Sequence, residues 1–171
     1  GLTRAADAGI ATACIDHCDY DSREAFDAAM VAKLKPLQPD LVILAGFMRI
    51  LTPVFITPFA GKLLNIHPSL LPNYPGLHTH RRALEAGDAT HGASVHFVTE
   101  ELDGGPVVLQ AVVPVLQGDD EDRLAARVLA QEHRIYPAVI QWIAEGRVWL
   151  DPKTGVMFDN KPLPQPRRWA D

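Results

Sequence analysis

A chain of 171 residues suits one domain with a substantial core, and 47% hydrophobic residues exclude a disordered polymer. A net charge of −5 without a Lys/Arg run argues against nucleic acid or an anionic membrane as partner, and no apolar run approaches the ~20 residues of a membrane span. The first residues, GLTRAADAGIATA, lack the basic head and apolar middle of a signal peptide. Cys14 and Cys18 are spaced C-x-x-x-C with no second pair for zinc, so reduced, structural thiols in a cytoplasmic protein are expected.

Taken in order, residues 1–9 read as the end of a helix stopped by Gly9, and residues 10–15 as a short strand. Asp21-x-x-Glu24 resembles a capping box, and Phe26, Met30 and Leu34 at spacing four form one apolar helical stripe, ended by Pro36 and Pro39. Residues 41–45, LVILA, are a continuous apolar run closed by Gly46, which fits a central parallel strand covered on both faces. Thr52-Pro53 signals a helix with Val54, Phe55 and Phe59 on its apolar face, stopped by Gly61. Residues 62–67 form the next strand, so this strand–helix–strand implies a right-handed parallel crossover whose strands end at one sheet edge. In open parallel sheets that edge holds the ligand.

Residues 81–87 read as a short helix. Residues 92–99 alternate, with Ala93, Val95 and Phe97 on one face and Ser94 and His96 on the other; an antiparallel partner is expected at 107–115. Asp119 to Asp122 cap a long helix with Leu124, Val128, Ile135 and Val139 on its buried side, a kink expected at Pro137 and a stop at Gly146. Residues 148–150 read as a last edge strand, and the proline- and charge-rich tail 151–171 as loosely packed. The fold class is α/β, with a doubly wound, mostly parallel sheet and an antiparallel C-terminal part. No glycine-rich phosphate turn of the G-x-G kind occurs, so a first strand–helix–strand unit of roughly 30 residues is expected to be missing before residue 1.

The stretch 62–80, KLLNIHPSLLPNYPGLHTH, carries the chemistry. Side chains two apart on a strand share a face, so Asn65 and His67 point one way and Ile66 the other. A stiff loop follows, with Pro68, Pro72, Pro75 and Gly76. A carboxamide that donates to an oxyanion, beside an imidazole that donates charge or moves a proton, is what acyl transfer requires. Asp103 precedes Gly104-Gly105-Pro106, a pattern that lets the backbone turn tightly. Alone, Asn65 at a strand end reads more often as a cap or turn former, His67 also reads as a structural histidine, and Asp103 before Gly-Gly reads by default as a turn residue. His78 and His80 lack a third ligand near in sequence, and no metal is expected. His96, turned away from Val95 and Phe97, faces either the cleft or another layer.

Four blocks in order, LAGFMRIL (44–51), the stretch 62–80, HGASVHFVTEELDGGPVVLQ (91–110) and QEHRIYP (131–137), resemble the folate-dependent formyltransferases, with weaker similarity through DSREAF (21–26). The resemblance implies a formyltransferase domain over residues 1–150, a Rossmann variant, and a C-terminal tail 151–171. It implies Asn65, His67 and Asp103 as the catalytic trio. Arg23, Met48, Arg49, Ile50, Leu51, Thr99, Glu100, Glu101 and Leu102 match segments that contact the co-substrate 10-formyltetrahydrofolate. Pro68-Ser69 and the run 74–80 are similar to the members that formylate the amine of glycinamide ribonucleotide, with Glu132 near that substrate. It also implies a cis bond at Leu71-Pro72. The competing functions are hydrolysis of formyltetrahydrofolate with release of formate, and a folate-binding fragment without activity. A monomer or homodimer acting on small molecules is expected.

Overall fold

The computed structural model describes residues 1–170. The chain divides into two compact units, residues 1–39 with 51–58, and residues 40–50 with 59–170. In the first unit, α1 (Leu2–Asp7) and α2 (Arg23–Leu34) precede α3 (Pro53–Ile56). Ser22, one residue past the expected cap, accepts from the Ala25 N–H and starts α2. Residues 10–15 form no strand: no strand among the described residues pairs with them, Ile10 is exposed, and its N–H donates back to the Ala5 carbonyl at 2.9 Å. An extended segment without a ladder leaves its backbone groups to water. Buried Asp27 accepts from both the backbone N–H (2.6 Å) and the hydroxyl (2.7 Å) of Thr52. Thr52 therefore stands at the N-cap of α3 with its side chain committed elsewhere. Of the expected apolar face, Phe55 and Phe59 are buried and Val54 is exposed, with Ile56 buried as well. Cys14 and Cys18 are exposed thiols outside any disulfide, and Cys18 Sγ lies 3.6 Å from His17 Nε2.

The second unit holds a five-stranded sheet. Across the sheet, its strands run in the order β1 (Val42–Leu44), β2 (Leu63–His67), β3 (Thr90–Phe97), β4 (Val107–Pro114) and β8 (Arg167–Arg168). The expected parallel pairing joins β1 to β2, with Leu44 beside Asn65, and the expected antiparallel pairing joins β3 to β4. β1, however, is an edge strand among the described residues, with Ile43 exposed, rather than a strand covered on both faces. The helix expected at 81–87 begins earlier, as α4 (Thr79–Ala86). α5 (Glu121–Ala144) runs through Pro137 and buries Leu124, Val128, Ile135 and Val139. Asp120 is its N-cap, accepting from the Arg123 N–H at 2.8 Å.

The C-terminal residues are not loosely packed. β5 (Val148–Asp151), β6 (Gly155–Phe158) and β7 (Lys161–Pro162) form a second, antiparallel sheet. β8 then adds to the main sheet parallel to β4, and the Trp169 N–H donates to the Gln110 carbonyl at 2.8 Å. Val156 and Phe158 belong to the same core cluster as Leu64, Val95 and Val139, and Trp169 packs against it. The apolar residues Val156, Phe158 and Trp169 supply that packing, which a count of prolines and charges conceals.

Candidate active site

Two strand ends and two loops, all in the second unit, build the site. Asn65 and His67 leave β2 on one face, and His96 sits across from Asn65 in the β2–β3 register. The carboxamide nitrogen of Asn65 lies 3.2 Å from His96 Nε2. Asp103, on the loop between β3 and β4, reaches both histidines: its Oδ2 lies 3.5 Å from His67 Nδ1 and its Oδ1 3.8 Å from His96 Nε2. The sequence-predicted trio is thus brought together, with His96 as a fourth member. His67 and His96 are buried, and Asp103 is nearly so.

The orientation of each group has a local cause. His67 Nε2–H donates to the Tyr74 carbonyl at 2.9 Å, turning Nδ1 toward the carboxylate. Both ring nitrogens then face oxygen acceptors, so a ring with protons on both satisfies both. Asp103 Oδ2 also accepts the Gly76 N–H at 2.8 Å, which ties the two loops together. Asp103 itself has φ +52°, a left-handed conformation that aspartate tolerates. The backbone turns tightly here, with the Gly104 N–H donating to the Glu101 carbonyl at 3.1 Å and neither Gly104 nor Gly105 at positive φ. Gly105 is required by close approach: a Cβ there would stand 1.9 Å from the Phe97 carbonyl oxygen.

The loop after His67 is fastened to the sheet by a buried polar set that sequence reading missed. The Ser94 hydroxyl donates to the Ser69 carbonyl (2.7 Å) and accepts from the Leu71 N–H (3.0 Å) and Gln110 Nε2 (2.9 Å). Gln110 Nε2 also donates to the Leu71 carbonyl at 2.8 Å, and Thr79 Oγ1 to the Pro68 carbonyl at 2.7 Å. The Leu71-Pro72 bond is cis, in line with the resemblance. Behind the strand ends, the Tyr136 hydroxyl lies within hydrogen-bond distance of the Leu44 (2.7 Å) and Leu64 (2.9 Å) carbonyls, one on each parallel strand. Burial raises its pKa. The polar positions of β3 and β4, Ser94 and Gln110, were the one available signal, since an apolar strand buried on both faces hides such residues only when they are bonded.

Burial disfavours the charged form of His80, His91 and His96. Burial lowers His96 and His80, and lowers His91 to about 4. His80 and His91 meet edge to face at 5.2 Å. The other sequence-predicted residues are spread along the chain. Met48 and Ile50 are 81% and 54% exposed and Leu102 53%, so these apolar groups are not core. Arg49, Glu100 and Glu101 are exposed, and Thr99 is half-buried on the loop that carries Asp103. Arg23, exposed in the first turn of α2, and buried Leu51 belong to the first unit. Glu132 is half-buried on α5, where burial raises its carboxyl.

Residues 1–140 of this mixed α/β fold match the model of the formyl transferase family, and the chain belongs to that family. Its relatives narrow the class. Phosphoribosylglycinamide formyltransferase of Escherichia coli is 61% identical over 158 residues, covering 88% of this chain and 74% of the relative. The Haemophilus influenzae protein of the same name is 49% identical over 96% of this chain and 77% of its own length. The solved structure of phosphoribosylglycinamide formyltransferase from Coxiella burnetii superimposes with a TM-score of 0.91 at 43% identity, over 99% of this chain and 80% of that one. The chain is a member of this phosphoribosylglycinamide formyltransferase group, with its Rossmann-like fold.

Proposed function

We propose that the protein transfers a formyl group from 10-formyltetrahydrofolate to the amine of glycinamide ribonucleotide, with Asn65, His67 and Asp103 as its catalytic groups. The convergence of Asp103 with His67 at 3.5 Å, beside Asn65 on the same strand face, is the observation that carries this reading. The substrate amine is the nucleophile. It attacks the formyl carbon, and the carbonyl oxygen becomes a tetrahedral oxyanion. An Asn65 N–H and the His67 imidazolium stabilise that charge. Asp103, directly or through water, takes the proton lost by the amine. As the carbon–nitrogen bond to the folate breaks, the proton passes to the departing N10, leaving tetrahydrofolate and the formylated amide. No step uses a metal.

Arg23, Met48, Arg49, Ile50, Leu51, Thr99, Glu100, Glu101 and Leu102 are assigned to the folate, and Glu132 to the glycinamide ribonucleotide. Exposed Met48, Ile50 and Leu102 are apolar groups suited to a flat pterin. No helix among the described residues is long and apolar enough to cross a membrane. A cytoplasmic monomer or homodimer working on small molecules fits this chemistry. The test is steady-state turnover with both substrates. Asn65→Ala and His67→Ala should each lower kcat by about 10²–10³. Near-normal turnover in either removes that residue from the mechanism, and formate release without formylated product would make the protein a hydrolase.

A further inference from the structure

We infer that His96 is a positioning residue for this reaction: its buried imidazole fixes the carboxamide of Asn65 with the NH₂ group, rather than the oxygen, turned toward the ring. The inference rests on the proposed role of Asn65 as oxyanion donor and deepens it.

At the far end of the ring, His96 Nδ1 lies 3.0 Å from the carbonyl oxygen of Phe97, a group that only accepts, so Nδ1 carries the proton. In the neutral ring Nε2 is then a bare lone pair. Burial holds the ring neutral, opposing the pull of Asp103 toward the charged form. A lone pair 3.2 Å from the end of the Asn65 side chain accepts from an N–H and repels a carbonyl oxygen. One N–H of Asn65 is thereby committed to His96, and the second N–H of the same group is left for the oxyanion. Without the acceptor the amide turns about its last bond at little cost, because its two ends are nearly alike in shape.

The ladder beside this ring is interrupted. The β3–β4 register is regular from Thr90 to Val95 and then shifts between Val95 and His96, so that His96 pairs with Val107 while Val95 pairs with Leu109. The extra residue, Val108, is on β4, and opposite it the β3 ladder is locally disrupted at His96. The Phe97 carbonyl that holds Nδ1 is the same oxygen that requires glycine at 105. The anchor of His96 and the loop carrying Asp103 thus share one backbone group. Asp103 Oδ1, at 3.8 Å, stands farther from Nε2 than the amide does and does not compete for the lone pair, since a carboxylate has no proton to give.

The experiment has three arms. Turnover is measured for His96→Leu, which removes the acceptor, and for His96→Gln, whose amide oxygen can replace Nε2. The double variant Asn65→Ala/His96→Leu is compared with Asn65→Ala alone. His96→Leu should lower kcat by up to about 10²-fold with both KM values little changed, since the amide is misplaced while the groups that bind the substrates stay as they are. His96→Gln should recover most of that loss, and His96→Leu should add nothing once Asn65 is alanine. The third arm needs no turnover: long-range ¹H–¹⁵N spectra of the native protein should show the Nδ1–H tautomer at His96, with Nε2 shifting in Asn65→Ala. A proton on Nε2, full activity in His96→Leu, or additive losses in the double variant overturns the inference. If His96→Leu does not fold, the tautomer and His96→Gln decide, and a loss in His96→Gln equal to that of Asn65→Ala counts against it. Normal turnover in Asn65→Ala instead defeats the proposed function, so the two failures are distinct.

Discussion

Asp103 is placed by what its neighbours lack. Gly105 is wedged against backbone: an added Cβ would lie 1.9 Å from the Phe97 carbonyl oxygen, an atom that cannot yield without moving β3. At Gly104 the added Cβ would meet the Glu101 side chain at 2.3 Å, and Glu101 is exposed and can swing aside. Gly105→Ala should therefore cost about 1–3 kcal/mol of stability, as overpacking does, and displace Asp103 and the Phe97 carbonyl together. Gly104→Ala should cost markedly less. Urea unfolding of the two variants, with kcat measured on the folded fraction, checks the contrast; equal losses would mean that the close approach at 105 does not govern the loop. Asn65 and His67 were legible because strand alternation alone puts them on one face. The partnership of Asn65 with His96, 31 residues later, was not: it depends on strand register and on a bulge, and the pattern of Val95, His96 and Phe97 reports only that His96 faces away from its neighbours.

Helices and strands show the same division between local and distant causes. The long helix α5 was legible in its cap, its buried stripe and its glycine stop, all of which act within a few residues. Residues 10–15 read as a strand and pair with none, and β1 ends the sheet among the described residues, because an apolar run fixes neither the number nor the presence of neighbours. Of the C-terminal strands, β5 was legible at 148–150, whereas β8 was not, because it consists of two arginines whose place is set by pairing with β4. One connection has a pH signature. Asp119 is held down to about 2, first by the hydrogen bond from Arg127 and then by the Leu116 N–H, burial opposing both. Arg127 spans Asp119 with 2.7 and 2.9 Å bonds and also donates to the Pro114 carbonyl, joining the end of β4 to α5. An unfolded aspartate titrates near ~3.9, so on acidification the unfolded chain takes up the proton first. The pair's contribution is present above about pH 4 and is lost as pH falls toward about 2. Asp119→Asn should be less stable than the native chain at pH 6, with the gap closing through that window in denaturant titrations. A gap independent of pH would assign the effect to the Leu116 and Pro114 bonds alone.

Stability should be distributed unevenly over the molecule, because the two units bury very different amounts of chain. Every member of the main apolar cluster lies in the second unit, from Leu64 through Ile135 to Phe158. The first unit buries only Phe26, Asp27, Leu51, Thr52, Phe55 and Ile56 among its residues, and α1 buries none. Local opening free energy follows buried apolar contact, so amide hydrogens of α2 and α3 should exchange well before those of β3, β4 and α5. The C-terminal strands belong with the slow group despite their position near the chain end. The Trp169 N–H is bonded to the Gln110 carbonyl, and the Trp169 ring packs on the same cluster, with the Arg134 guanidinium 5.8 Å from its centre. Trp169→Ala should therefore speed exchange in β4 as well as in β8, at a cost of up to about 3–5 kcal/mol if the ring leaves an unfilled cavity. Exchange in α2 and α3 should be unaffected. Hydrogen exchange followed by mass spectrometry reads all of these segments at once. Uniform acceleration in both units would mean that the protein opens as one cooperative body, whereas acceleration confined to β8 would mean that the C-terminal strands rest on the core without bracing it.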